Sequence, residues 1–162
     1  MKKLVFIAIF LITTQQNLFA QSNQKSNQSN YVLEVVDLDG KNFDISQFSN
    51  KAILILFWAE WCNYCKKEMF DLQKIYEEYN SKGLEIIALT IDRKKDESRV
   101  IEFSKNFTFP IAFFVDAKTN FSNSKNTVPL ILLIDKNRTA VVSVSGLVSK
   151  NEITRMVEKS LK

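Results

Sequence analysis

The two cysteines of this chain, Cys62 and Cys65, stand three residues apart in the stretch FWAEWCNYCKKEMFDL. A pair at this spacing can staple a fold, supply part of a metal site, or exchange electrons with another disulfide. Closing so short a loop removes little entropy from the unfolded chain, because the benefit grows with loop length. Stability is therefore a poor reason for the spacing. A structural zinc ion needs about four ligands, commonly Cys and His. The 162-residue chain has two cysteines and no histidine, so only a half-site completed by a second chain remains. The lack of histidine also excludes a Ser-His-Asp triad, a Cys-His nucleophile pair and copper sites of the Cys-His type. No metal and no cofactor is expected. Thiol–disulfide exchange fits the pair best, and its requirement is an available thiolate.

The elements around the pair are arranged to meet that requirement. KAILILFW, from Lys51 to Trp58, is a continuous apolar run with β-branched members, the pattern of a strand buried on both faces. From Cys62 to about Asn80 the period becomes helical, with Cys65, Met69, Leu72, Ile75, Tyr76 and Tyr79 on one side. Cys62 then starts a helix, where free backbone N–H groups and the positive end of the macrodipole favour an anion. Thiols so placed have pKa values of roughly 3.5–7.5, against about 8.5 unperturbed. Cys65 lies one turn inside, on the core face, shielded and suited to resolving a mixed disulfide that Cys62 begins.

Further along, Leu84 to Ile91 reads as a second buried strand and Asp96 to Asn106 as a weaker helix. Phe109 to Val115 is a short apolar run and Asp116 to Asn126 a polar loop. Leu130 to Ile134 is a strand, Asp135-Lys136-Asn137 a turn, and Thr139 to Val144 its antiparallel partner. Ser149 to Leu161 closes the chain as a helix, with Ser149 and Glu152 forming a capping box. Before all of these, YVLEVVDLDGKNFDI reads as a hairpin around Asp39-Gly40. The order is that of an α/β domain over residues 31–162. The cysteines fall where a buried strand gives way to a helix, the place where chemistry gathers in open α/β sheets.

Residues 1–20, MKKLVFIAIFLITTQQNLFA, have the three-part plan of a secretory signal peptide, with cleavage expected after Ala20. The apolar run from Leu4 to Ile12 is too short to span a bilayer, which takes about 20 residues. Residues 21–30, QSNQKSNQSN, form a polar flexible linker. Export, periplasmic or otherwise, puts the cysteines where disulfides persist. With Lys2 and Lys3 set aside, 20 basic residues face 18 acidic ones and no basic stripe stands out. Nucleic-acid binding has no electrostatic support.

FWAEWCNYCK resembles the active site of the thioredoxin superfamily, and the context is most similar to its exported TlpA/ResA/CcmG-like branch. DLDGKNFDISQFSNKAILILFWAEWC resembles that branch's opening hairpin and active-site strand, CNYCKKEM places Glu68 where an acidic residue is often found, and VPLILLID resembles the proline loop and next strand. The resemblance covers residues 31–162. It implies a thioredoxin-like fold, a central mixed sheet flanked by helices with an N-terminal β-hairpin. It also implies a cis peptide before Pro129 facing the cysteines, with the adjacent backbone at Val128 open to an extended substrate. Leu56 stands where many relatives carry a buried Asp or Asn, which leaves Glu68 as the carboxylate for proton transfer near Cys65. Its alternative is a solvated charge on the helix face. Trp61, Asn63 and Tyr64 are candidate substrate contacts, and Trp58 belongs to the core.

The expected activity is an exported thiol–disulfide oxidoreductase, acting as a monomer on cysteine-containing exported proteins. The resemblance suggests a reductant, with apocytochrome c as a candidate substrate and a membrane-bound thiol donor or acceptor as redox partner. Disulfide oxidation and isomerisation stay open. Val128 before Pro129 is similar to oxidising members, while isomerases usually add a dimerisation domain. A redox-inert binding protein on the same fold is the alternative from another class. A thiol peroxidase ranks last, since Cys62 lacks a proline-threonine-cysteine context.

Overall fold

The computed structural model describes residues 31–123, 126–139 and 141–162. The expected leader (1–20) and linker (21–30) lie outside the described residues. Two short strands come first, β1 (Leu33–Val36) and β2 (Asn42–Asp44), paired antiparallel with Val35 opposite Phe43. The turn between them is tied by Asp37, whose Oδ1 accepts the backbone N–H groups of Asp39 and Lys41 at 3.0 and 2.8 Å. Gly40 completes it at φ 78°, a left-handed conformation that glycine takes without steric cost.

β3 (Ala52–Trp58) is buried at all seven positions. Helix α1 (Asn63–Tyr79) follows, then β4 (Leu84–Thr90), also buried throughout. The chain stops α1 through a 3-10 turn and Gly83, which sits at φ 103° and donates its N–H to Asn80 O. Helix α2 (Glu97–Ser104) and β5 (Ile111–Phe113) complete a second parallel crossover. β6 (Lys118–Thr119) leaves the main sheet and pairs with β1. β7 (Leu130–Ile134) runs antiparallel to β3, β8 (Val141–Ser145) antiparallel to β7, and α3 (Lys150–Ser160) ends the fold. The Ser149 hydroxyl caps α3 by accepting the Glu152 N–H.

The five-stranded sheet has the order β5-β4-β3-β7-β8, with β3, β4 and β5 mutually parallel. Its central strand serves two cores. Ala52, Leu54, Leu56 and Trp58 face a cluster built with Cys65, Met69, Leu72 and Ile75 of α1, Val100 of α2 and Ile153 and Val157 of α3. Ile53, Ile55 and Phe57 face the other way, onto Leu33, Val35, Phe43 and Ile45 of the hairpin. Alternation of side chains across the strand explains why the run AILILFW, from Ala52 to Trp58, shows no polar position: helices cover one face and the hairpin layer the other. The α/β architecture, the hairpin and the helical face of α1 agree with the sequence reading. β6 does not, because the polar segment from Asp116 was expected to lack a strand.

Candidate active site

The site begins where β3 ends. Ala59, Glu60 and Trp61 turn the chain out of the sheet, and three backbone contacts hold that turn. Ile91 N–H donates to Trp58 O at 2.9 Å, Cys62 N–H donates to Ala59 O at 3.0 Å, and Glu60 N–H donates to the Asp92 carboxylate at 2.6 Å. Asp92 Oδ2 also accepts the Thr90 hydroxyl at 2.6 Å, which ties the loop to the end of the neighbouring strand β4.

Cys62 is the N-cap of α1, with extended backbone (φ −90°, ψ 101°). Its Sγ accepts the Cys65 N–H at 3.2 Å and its carbonyl accepts the Lys66 N–H at 3.1 Å. A sulfur in this place meets the free N–H groups of the helix start, the environment that stabilises a thiolate. Cys62 and Cys65 form a disulfide with their Cα atoms 5.2 Å apart. The two sulfurs are not equivalent to an approaching reactant: Cys62 is 7% exposed and Cys65 0%. Exchange can therefore start at Cys62 and be resolved by Cys65.

Glu68, one turn beyond Cys65, is fully buried rather than on the solvated face of the helix. Its Oε1 accepts the Val148 N–H at 3.0 Å, and its Oε2 has no partner among the described residues. Burial pushes its carboxyl up to about 7, the Val148 bond opposes that rise, and the charge of Asp71 adds to it. Leu56 is buried in the middle of β3 between Ala88 and Ile131, so that strand offers no proton acceptor there.

The Val128–Pro129 peptide is cis, as the resemblance implied. The register of β7 on β3 pairs Leu130 with Phe57, which carries Pro129 and Val128 past the end of β3 toward the cysteine turn. Val128 packs on the same apolar cluster that contains Cys62 and Cys65. Around the disulfide, Trp61 is 63% and Tyr64 66% exposed, and Asn63 is also exposed. Trp58 is buried. All eight candidate residues thus lie on the cysteine turn, the first two turns of α1, or the loop entering β7.

Asp92 was missed by the sequence reading. Its signal is a lone acid directly after the buried run LEIIALTI, at the sheet end that carries the cysteines. The pairing of Lys66 with Glu60 at 2.7 Å was also missed. It draws the cation next to Cys65 onto the turn before Cys62.

The Redoxin family profile matches residues 21–161. The chain is 32% identical over 152 residues to the thiol-disulfide oxidoreductase ResA of Bacillus cereus, covering 91% of this chain and 86% of the relative. It is 31% identical over 162 residues to the ResA of Geobacillus kaustophilus, covering 96% and 90%. Among solved structures, a putative thiol:disulfide interchange protein DsbE from Chlorobium tepidum aligns with a TM-score of 0.69 at 20% identity, covering 81% of this chain and 94% of that one. StoA from Bacillus subtilis aligns with a TM-score of 0.58 at 20% identity, covering 76% and 94%. These structural likenesses speak to the thioredoxin-like fold.

Proposed function

This chain belongs to the Redoxin family and is a thiol–disulfide oxidoreductase; from that premise we propose that it is an exported reductant of protein disulfides. The observation that carries the reading is the Cys62–Cys65 disulfide at a helix N-terminus, with Cys62 keeping 7% of its surface exposed and Cys65 none. The reduced enzyme attacks a substrate disulfide through the Cys62 thiolate, which forms a mixed disulfide and releases one substrate thiolate. Cys65 loses its proton and attacks Cys62 Sγ. The substrate leaves as a dithiol and the enzyme disulfide is restored. Glu68 is the base for the Cys65 proton, buried beside it with a carboxyl poised near neutral pH.

The reducing direction is supported by what surrounds the sulfurs. A nearby cation would stabilise the thiolate and make the dithiol a strong oxidant's product. Here no histidine is present, and the Lys66 ammonium is held by Glu60. Glu68 contributes negative charge when ionised, which works against the thiolate. The residues Asn63 and Tyr64 between the sulfurs are neutral. Among the described residues no helix is long and apolar enough to cross a membrane. Delivery outside the cell rests on the leader plan of residues 1–20, and electrons would come from a membrane-bound thiol donor. Apocytochrome c before haem attachment is the candidate substrate.

Titration of the full chain against glutathione tests the direction. A potential near that of thioredoxin, about −270 mV, is the expected outcome, and one near about −120 mV would assign the protein to oxidation instead. Val128 before Pro129 is the observation that favours this second reading.

A further inference from the structure

The loop that enters β7 is organised by a side chain outside the cysteine motif. Asn123 is 6% exposed, and both polar atoms of its amide are used on one residue. Its Nδ2 donates to Thr127 O at 2.9 Å, and its Oδ1 accepts the Thr127 N–H at 2.9 Å. This two-way bond has the donor–acceptor pattern that an antiparallel strand offers to a hydrogen-bonded partner. Asn126 N–H donates to Asn123 O at 2.9 Å, with Asn126 at φ 48°. Thr127 is held as if by a neighbouring strand, though a single amide does the holding.

Holding Thr127 has a consequence for the next residue. Proline at 129 biases Val128 toward extended backbone. In an extended segment, successive residues direct their N–H and C=O groups to opposite sides. With Thr127 facing Asn123, Val128 faces away from it. Among the described residues Val128 makes no backbone hydrogen bond. On the other side of the cis peptide, Pro129 O accepts the Gly146 N–H at 2.9 Å, so both flanks of Val128 are anchored.

The geometry points to Asn123 as a positioning residue for polypeptide substrates: its amide pre-orders Thr127 so that the Val128 backbone is presented to an extended substrate segment. The inference rests on the reading that substrate adds as a strand beside Val128. Pre-ordering removes an entropy cost from binding, so it acts on KM for polypeptides. A small disulfide that makes no strand contacts is indifferent to it.

The test follows single turnovers of the reduced full-length protein, reading the half-saturating concentration as KM and the limiting rate as kcat, with a synthetic disulfide peptide, the same peptide N-methylated at successive amides, and glutathione disulfide. Asn123→Ala is expected to raise KM for the peptide about tenfold while kcat stays within about twofold. The ratio of peptide to glutathione-disulfide rates should fall by the same factor. Asn123→Asp, which keeps the acceptor for the Thr127 N–H, should recover part of the loss. N-methylation should raise KM at one peptide position in the parent enzyme, and this penalty should shrink in Asn123→Ala. Parallel loss of both substrates would overturn the inference and assign Asn123 a fold-maintaining role. So would an unchanged peptide KM in a variant that still feels N-methylation, and there strand addition itself would survive. No N-methylation penalty in the parent enzyme would remove strand addition, and the inference with it.

Discussion

Two buried carboxylates mark opposite ends of the central sheet, and their surroundings differ. Glu85, near the start of β4, accepts hydrogen bonds from the Tyr76 hydroxyl at 2.8 Å, the Lys51 ammonium at 3.1 Å and the Asn80 amide at 3.4 Å. Glu68, on the cysteine helix, has one backbone N–H at 3.0 Å and an oxygen with no partner among the described residues. At the first site the charge is surrounded by donors and a cation, and the cost shows up in Tyr76, whose phenol is pushed up by burial and then by Glu85. At the second site a single backbone N–H offsets desolvation only in part, and the carboxyl's two forms come close in free energy near neutral pH. A fully satisfied buried acid holds structure, whereas a poorly satisfied one is available to carry a proton.

The comparison breaks most cleanly at the cysteine end. Cys62→Ser should lower exchange with a polypeptide disulfide by at least about 10³-fold, since the attacking atom is gone. Its melting temperature should match that of the reduced parent protein. Cys65→Ser should instead accumulate a mixed disulfide, visible by mass. Retention of exchange by Cys62→Ser would end the mechanism.

At the far end, Glu85→Ala leaves Lys51, Tyr76 and Asn80 without their shared acceptor. A stability loss of about 3 kcal/mol in urea unfolding is expected, with kcat/KM for exchange unchanged. If exchange fell in step with stability, the two ends of the sheet would not be separable.

Glu68 gives the intermediate effect, and its sign follows from the direction of the shift. The folded protein holds the Glu68 proton up to about 7, against an ordinary value of 4.5. Between those limits the folded state binds more protons than the unfolded state, so this group's contribution to stability falls as pH rises. Glu68→Gln keeps an oxygen for the Val148 N–H and cannot ionise. At pH 8 it should be more stable than the parent by about 2 kcal/mol, with the difference vanishing below pH 4.5. The same variant should slow resolution of the mixed disulfide and lose the inflection near pH 7. Equal stability of the two proteins across that range would mean that Glu68 never carries a buried charge.

Much of this arrangement could be read from residue order, and what could not has a common physical cause. β3, β4 and α1 were legible because each is decided by its own pattern: seven buried positions in a row, or an apolar face every three to four residues. Cys62 and Cys65 were legible because their relation is local. β6 was not. Lys118 and Thr119 are polar and only two residues long, and they become a strand because the fold brings β1 alongside, with Lys118 pairing Glu34 at 2.9 Å. Glu68 was half legible: the family resemblance singled it out, but its enclosure depends on the fold, which sets its carboxylate against the Val148 N–H. Asn123 and Asp92 act on backbone atoms of distant or folded-back segments, and side-chain-to-backbone bonds leave no periodic trace.

Asp92 yields the smallest effect and the finest test of how the cysteine turn is held. Its carboxylate accepts the Glu60 N–H at 2.6 Å, two residues before Cys62. The bond is charge-assisted, and Glu60 in turn holds Lys66 at 2.7 Å. Releasing Glu60 should therefore loosen both the turn and the cation beside Cys65. Asp92→Ala is expected to reduce the rate of Cys62 alkylation in the reduced protein about fivefold, from the loss of about 1 kcal/mol of positioning. Asp92→Asn retains an oxygen acceptor and should recover most of that rate. Thr90→Val removes the hydroxyl that donates to Asp92 Oδ2 at 2.6 Å and accepts the Asp92 N–H at 3.1 Å, without touching Glu60, and it should change alkylation by less than about twofold. If all three variants alkylate at the parent rate, the helix N-terminus alone holds Cys62, and the Asp92 contact serves only to close the end of β4.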